Sequence, residues 1–118
     1  FGTKFANPGT LPASTGFGVG FSLLGASLVV AHATTPFVSV YPWSDVTGFG
    51  TKFANPGTLP ALQGNGASFS AEGGAVAVAC SGTPFVSAYP WSDSTGFGTK
   101  FANPGTLPAG IGWKVAFK

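Results

Sequence analysis

The segment FGTKFANPGTLPA occurs three times without a change, at Phe1–Ala13, Phe49–Ala61 and Phe97–Ala109. Its copies begin 48 residues apart both times. A fixed period of this size means that one supersecondary unit is stacked on copies of itself, which excludes most single-core folds before any local pattern is read. The identity extends further: Thr34–Ala61 and Gly82–Ala109 align without a gap and differ only at Thr34/Gly82, Val40/Ala88 and Val46/Ser94. The other half of each unit, Ser14–Ala33 against Leu62–Ser81, has drifted but also aligns without a gap. The chain therefore divides into a partial repeat at 1–13, full repeats at 14–61 and 62–109, and a second partial repeat at 110–118. Identity this close implies recent amplification or deliberate design.

The expected elements within a unit are all strands. Phe1–Ala6 and its equivalent Phe49–Ala54 alternate in the two-residue period of a strand. Asn7-Pro8-Gly9 follows as a turn, with Pro presetting φ and Gly tolerating its positive range. Pro12 lacks the N–H a ladder needs, so pairing is expected to stop there. Phe17–Ser22, Asn65–Ser70 and Trp113–Lys118 form the next strand, apolar on the Val19/Ala67/Val115 and Phe21/Phe69/Phe117 face. The opposite face carries Gly18/Gly66/Lys114 and Gly20/Ser68/Ala116; its small residues would permit close approach of a neighbouring backbone. Turns at Leu23–Ala26 and Ala71–Gly74 lead into Ser27–His32 and Ala75–Cys80, apolar on both faces as expected of strands between two packed layers. Phe37–Tyr41 and Phe85–Tyr89 complete the unit, expected to end at Pro42 and Pro90. Gly (19 residues) and Pro (10) together leave no stretch with helical periodicity.

Four short strands per unit, joined by tight turns, is the pattern of a β-propeller blade. The run Val19–Trp43, VGFSLLGASLVVAHATTPFVSVYPW, resembles a WD40-type or YVTN-type propeller repeat, and Phe69–Gly74 (FSAEGG) lies nearest that family's characteristic turn. The Gly-His pair and the Trp-Asp dipeptide of WD40 repeats are missing, with Tyr-Pro-Trp-Ser-Asp instead. The resemblance implies an all-β chain of four-stranded antiparallel blades. Two complete blades cannot close a ring that takes about four to eight. The terminal strands, with Phe1, Thr3 and Phe5 at one end and Trp113, Val115 and Phe117 at the other, are expected to act as assembly edges in a head-to-tail homo-oligomer, ring or fibre. Alternatively the chain is a processed product or part of a longer repeat array, as an opening on Phe1 and a lack of methionine suggest.

Composition narrows function mainly by exclusion. Charged residues are 7% of the chain, few for the surface of a free monomer, which suggests that much of it is covered in an assembly. A net charge of +2 without arginine or a basic cluster does not fit nucleic-acid binding. Gly16–Ala33 comes nearest to the ~20 apolar residues of a membrane span, but four glycines interrupt it and its counterpart carries Asn65 and Glu72. No nucleophile–base or acid–base constellation is present, and one Cys with one His does not offer the roughly four ligands of zinc. No glycine spacing matches a phosphate loop, so no cofactor is expected. His32 and Cys80 occupy equivalent positions and read as buried strand residues, and Asp45 and Asp93 as turn caps.

The remaining candidates are aromatic. Tyr41/Trp43 and Tyr89/Trp91 recur once per unit, where they are expected either to pack blade on blade or to present rings for glycan binding. The resulting expectation is a non-enzymatic, self-assembling structural protein, akin to propeller repeats of phage-like and bacterial surface proteins and so virion, cell-surface or extracellular, or designed. The alternative is a lectin-like propeller with one aromatic site per blade.

Overall fold

The computed structural model describes all residues from Phe1 to Lys118 and contains strands and no helix. The strands are β1 (Gly16–Phe21), β2 (Ser27–His32), β3 (Val38–Ser44) and β4 (Gly48–Phe49), then β5 (Gly64–Phe69), β6 (Ala75–Cys80), β7 (Val86–Ser92) and β8 (Gly96–Phe97). They form two separate four-stranded antiparallel sheets, β1-β2-β3-β4 and β5-β6-β7-β8, each a simple meander. The all-β expectation and the unit of four strands stand.

Local chemistry sets the turns. The β1–β2 loop is closed by Ser22, whose backbone and hydroxyl bond the Ser27 region (Ser22 N–H to Ser27 C=O, 2.9 Å; Ser27 N–H to Ser22 Oγ, 3.0 Å), while Gly25 takes φ +66°. The β3–β4 turn is held by Ser44 Oγ, which accepts from the N–H groups of Val46 and Thr47, both at 3.2 Å. Serine therefore caps this turn, and not Asp45 as the sequence suggests; Ser92 does the same in the second sheet.

Four strand expectations are corrected. Pro42 does not end β3: the ladder with β2 runs through it, with Pro42 opposite Ser27 and Trp43 N–H donating to Ala26 C=O at 2.8 Å. Because neighbouring residues alternate, the missing N–H of Pro42 faces β4. Proline therefore trims β4, which pairs only at Gly48 and Phe49 and not along Phe49–Ala54 as expected. Beyond that point the chain keeps single bonds, Gly50 N–H to Pro42 C=O (2.8 Å) and Phe53 N–H to Val40 C=O (2.9 Å). Phe1–Ala6 forms no strand, just as its equivalent Gly50–Ala54 forms none, and neither does Trp113–Lys118.

The core lies between the two sheets. The back of the first sheet (Val29, Ala31, Val38, Val40) meets the front of the second (Ala67, Phe69, Val76, Val78, Tyr89, Trp91). The small-residue face makes this approach possible: a Cβ on Gly18 would lie 2.9 Å from Gly66 Cα, a separation real Cβ atoms essentially never show. The same relation recurs one unit later, where a Cβ on Gly66 would meet Lys114 Cα at 3.2 Å and Trp113 O at 3.1 Å. Thus β1, β5 and the segment Trp113–Lys118 stand side by side, and a cleft of about 190 Å³ runs across all three.

Candidate functional site

Each sheet builds the same aromatic cluster around its tryptophan. The indole Nε1–H of Trp43 donates to Asp45 Oδ1 at 2.8 Å, and that of Trp91 to Asp93 Oδ1 at 2.8 Å, which fixes the ring's tilt from two residues away. Around Trp43 stand Phe5 (5.1 Å between ring centres), Phe21 (5.4 Å) and Phe49 (5.1 Å), all edge to face. Around Trp91 stand Phe53 (5.0 Å), Phe69 (5.4 Å) and Phe97 (5.1 Å) in the same geometry. This edge-to-face arrangement is the one that aromatic quadrupoles favour. Phe5 and Phe53 come from the invariant segment, so that segment threads over the face of the sheet that follows it. It is tied down by the tyrosine beneath: Tyr41 O–H donates to Thr10 C=O and Tyr89 O–H to Thr58 C=O, both at 2.8 Å.

The two clusters have the same residues and different surroundings. Phe69 is 6% exposed and Phe21 52%; Ala67 is 8% exposed and Val19 64%. Trp91 is buried, whereas Trp43 is half-buried on a groove of about 650 Å³ that it shares with Phe1, Phe5 and Phe49. The second sheet's front is closed by the first sheet; the first sheet's front has no sheet over it, and the invariant segment covers Tyr41 there but leaves Val19 and Phe21 exposed. Of the expected assembly edges, Phe1, Thr3, Phe5, Trp113 and Phe117 are exposed and Val115 is half-buried.

This placement bears on the four aromatic candidates. Tyr41 and Tyr89 are fully buried with their hydroxyls committed, and Trp91 lies beneath three phenylalanines. Of the four aromatic candidates only Trp43 reaches a surface, so the rings do not form one open site per unit.

Sequence reading missed the residue that joins the sheets. Asp93 Oδ1 also accepts from Ser27 Oγ of the first sheet at 2.6 Å, a charge-assisted, part-buried bond between the sheets. His32 is fully buried, with Nε2 3.0 Å from Ser39 Oγ, and burial holds the imidazole below its ordinary pKa. Cys80 replaces it in the second sheet, and there Ser87 Oγ has no hydrogen-bond partner. No group of three or more His, Cys, Asp or Glu is placed to hold a metal ion, and no helix is long and apolar enough to cross a membrane.

Burial also shapes the alkaline limit of the fold. The Tyr89 phenol is pushed from 10.0 up to about 12 by desolvation, and burial raises Tyr41 as well. The unfolded chain thus loses these protons first as pH rises, so stability is full below pH 10 and falls between pH 10 and about 12. Tyr89→Phe is expected to lower stability at pH 7 by about 1 kcal/mol, through the lost bond to Thr58, and to flatten part of that alkaline fall. Urea melts at pH 7 and pH 11 check both; an unchanged alkaline slope would refute the assignment.

No protein-family model and no curated protein matches the chain. Among solved structures, hydrazine synthase of Kuenenia stuttgartiensis is similar in fold, with a TM-score of 0.57 and 17% identity over 84% of this chain. The chain spans 26% of that protein's length, and at this identity the likeness concerns the fold alone.

Proposed function

We propose that this chain is a non-enzymatic structural repeat protein that self-assembles, its two sheets serving as β-propeller blades completed by further copies. One observation carries the reading: the same apolar face is closed by a neighbouring sheet in one unit and left open along Val19 and Phe21 in the other. An apolar patch of exposed Val19, Phe21 and Phe5 around half-buried Trp43 is what a protein–protein interface presents. The shared cleft along β1, β5 and Trp113–Lys118 supports a common axis for the inner strands, as the resemblance to WD40-like repeats implies. Propellers close with about four to eight blades, which two, three or four copies would supply. An extracellular, cell-surface or virion setting goes with this reading.

Native mass spectrometry or sedimentation equilibrium tests it. The expected result is a discrete multiple of 11.8 kDa. A very large, polydisperse species would mean open head-to-tail growth, still self-assembly. A monomer at all concentrations would overturn the proposal.

The glycan-binding alternative retains one supporting observation, Trp43 on its open groove. It predicts that glycan-array binding by the chain is lost in Trp43→Ala and kept in Trp91→Phe. The absence of any binding by the parent chain would end it.

A further inference from the structure

We propose that the back of the second sheet receives the front of the first sheet of another copy, in the register of the internal interface, and that Gly110–Lys118 must leave that seat first. The proposal rests on the self-assembly reading and specifies its junction.

Side-chain volumes choose the partner. At the internal interface Ala67, Val76 and Val78 of the second sheet's front meet Val29 and Val40 of the first sheet's back. The junction between copies would instead bring Val19, Leu28 and Val30 against Ala77 and Ala88. The front of the first sheet is larger at these positions by three side-chain carbons; on the back of the second, Ala77 and Ala88 remove four carbons while Ser68, in place of Gly20, returns a Cβ and an Oγ beside Ala77, a net loss of two heavy atoms. Interiors pack to a nearly constant density, so a front that grows where its facing back shrinks is the mark of two surfaces fitted to each other. Pairing front on front or back on back offers no such compensation. The contact is heterologous, head to tail, and so builds a ring or a fibre.

The seat is occupied in the free chain. A Cβ on Gly112 would lie 2.4 Å from Phe85 O, and one on Gly64 lies 2.3 Å from Phe37 O, the same fit one unit earlier. Gly112 N–H donates to Cys80 C=O at 3.1 Å, and Asn65 Nδ2 donates to Gly112 C=O at 2.7 Å. The tail therefore lies where β1 of an incoming copy belongs; Ala77 and Ala79 are already buried, but the tail brings no β2–β4 to cover Val86 and Ala88, which stay half-buried. An incoming sheet offers a larger buried surface for the same seat.

One missing bond reports the register. The Ser27–Asp93 bond has no counterpart at the junction, because Ala75 stands where a serine would face Asp45 of the next copy. Ala75→Ser in the full chain should therefore tighten self-association about tenfold, the size of one charge-assisted hydrogen bond. That gain should vanish in the Asp45→Ala background, compared as a double-mutant cycle. Gly112→Ala, which unseats the tail by its backbone clash, should also tighten association. Sedimentation equilibrium up to about 1 mM protein reads all variants on one affinity scale, with far-ultraviolet circular dichroism to confirm that the sheets are intact. If the parent chain associates but Ala75→Ser changes nothing, this register is wrong and self-assembly stands. If Gly112→Ala weakens association, the tail belongs to the junction and the competition is refuted. If no variant associates, both the register and the self-assembly reading fall.

Discussion

Truncating Trp91 to alanine is expected to destabilise the folded chain by about 3–5 kcal/mol, the cost of emptying a large aromatic site that its surroundings cannot refill. Trp91 lies in the core between the sheets, ringed edge to face by Phe53, Phe69 and Phe97. Its loss would also leave Asp93 without the indole donor, with only Ser27 remaining on that oxygen. Trp43→Ala removes the same side chain from the same local sequence, yet the groove beside it is already open. Its cost in the isolated chain should be about 1–2 kcal/mol. Urea titrations that shift the midpoint with an unchanged slope would measure both. Equal losses at the two positions would mean that the two faces are equally covered. Under conditions where the chain assembles, Trp43→Ala should instead cut the association constant.

The second large effect comes from adding one carbon. Gly64→Ala would place a methyl group 2.3 Å from the carbonyl oxygen of Phe37 and 3.3 Å from Ala31 Cβ. That carbonyl cannot swing aside cheaply: it accepts from His32 N–H at 3.0 Å, and Phe37 is already held at φ +68°, a region costly for a bulky side chain. The sheets must separate locally, at a cost at or above the upper end of the ~1–3 kcal/mol usual for overpacking. Gly57→Ala is the control, with nothing within 4 Å of the added carbon, and should change stability by less than about 0.5 kcal/mol. Gly112→Ala meets nearly the same clash as Gly64→Ala, but only the tail depends on it, so the main unfolding transition should move little. If Gly64→Ala and Gly57→Ala melted together, the close approach of the two units would be disproved.

Much of this was legible in the residues. The period places two equal units, Ser27–His32 and Ala75–Cys80 have the bounds their patterns predict, and the small-residue face at Gly18 and Gly66 marks the close approach. These features are local: alternation, turn chemistry and side-chain size act within a few residues. Pro42 was misread because proline forbids only one of two ladders, and which ladder faces its missing N–H is settled by the sheet around it. Asp93 was assigned to its own turn because nothing near it in sequence points to Ser27, sixty-six residues away. Phe21 and Phe69 make the sharpest comparison. They hold equivalent places in aligned repeats, and one is half-exposed while the other is buried. No local pattern can separate them, because burial depends on whether another sheet stands in front. Residue order alone therefore determined the three longer strands of each unit, their period and the two faces of each sheet. Only the tertiary structure decided which faces are closed, because closure requires a neighbour, and in these 118 residues the first sheet has none in front of it.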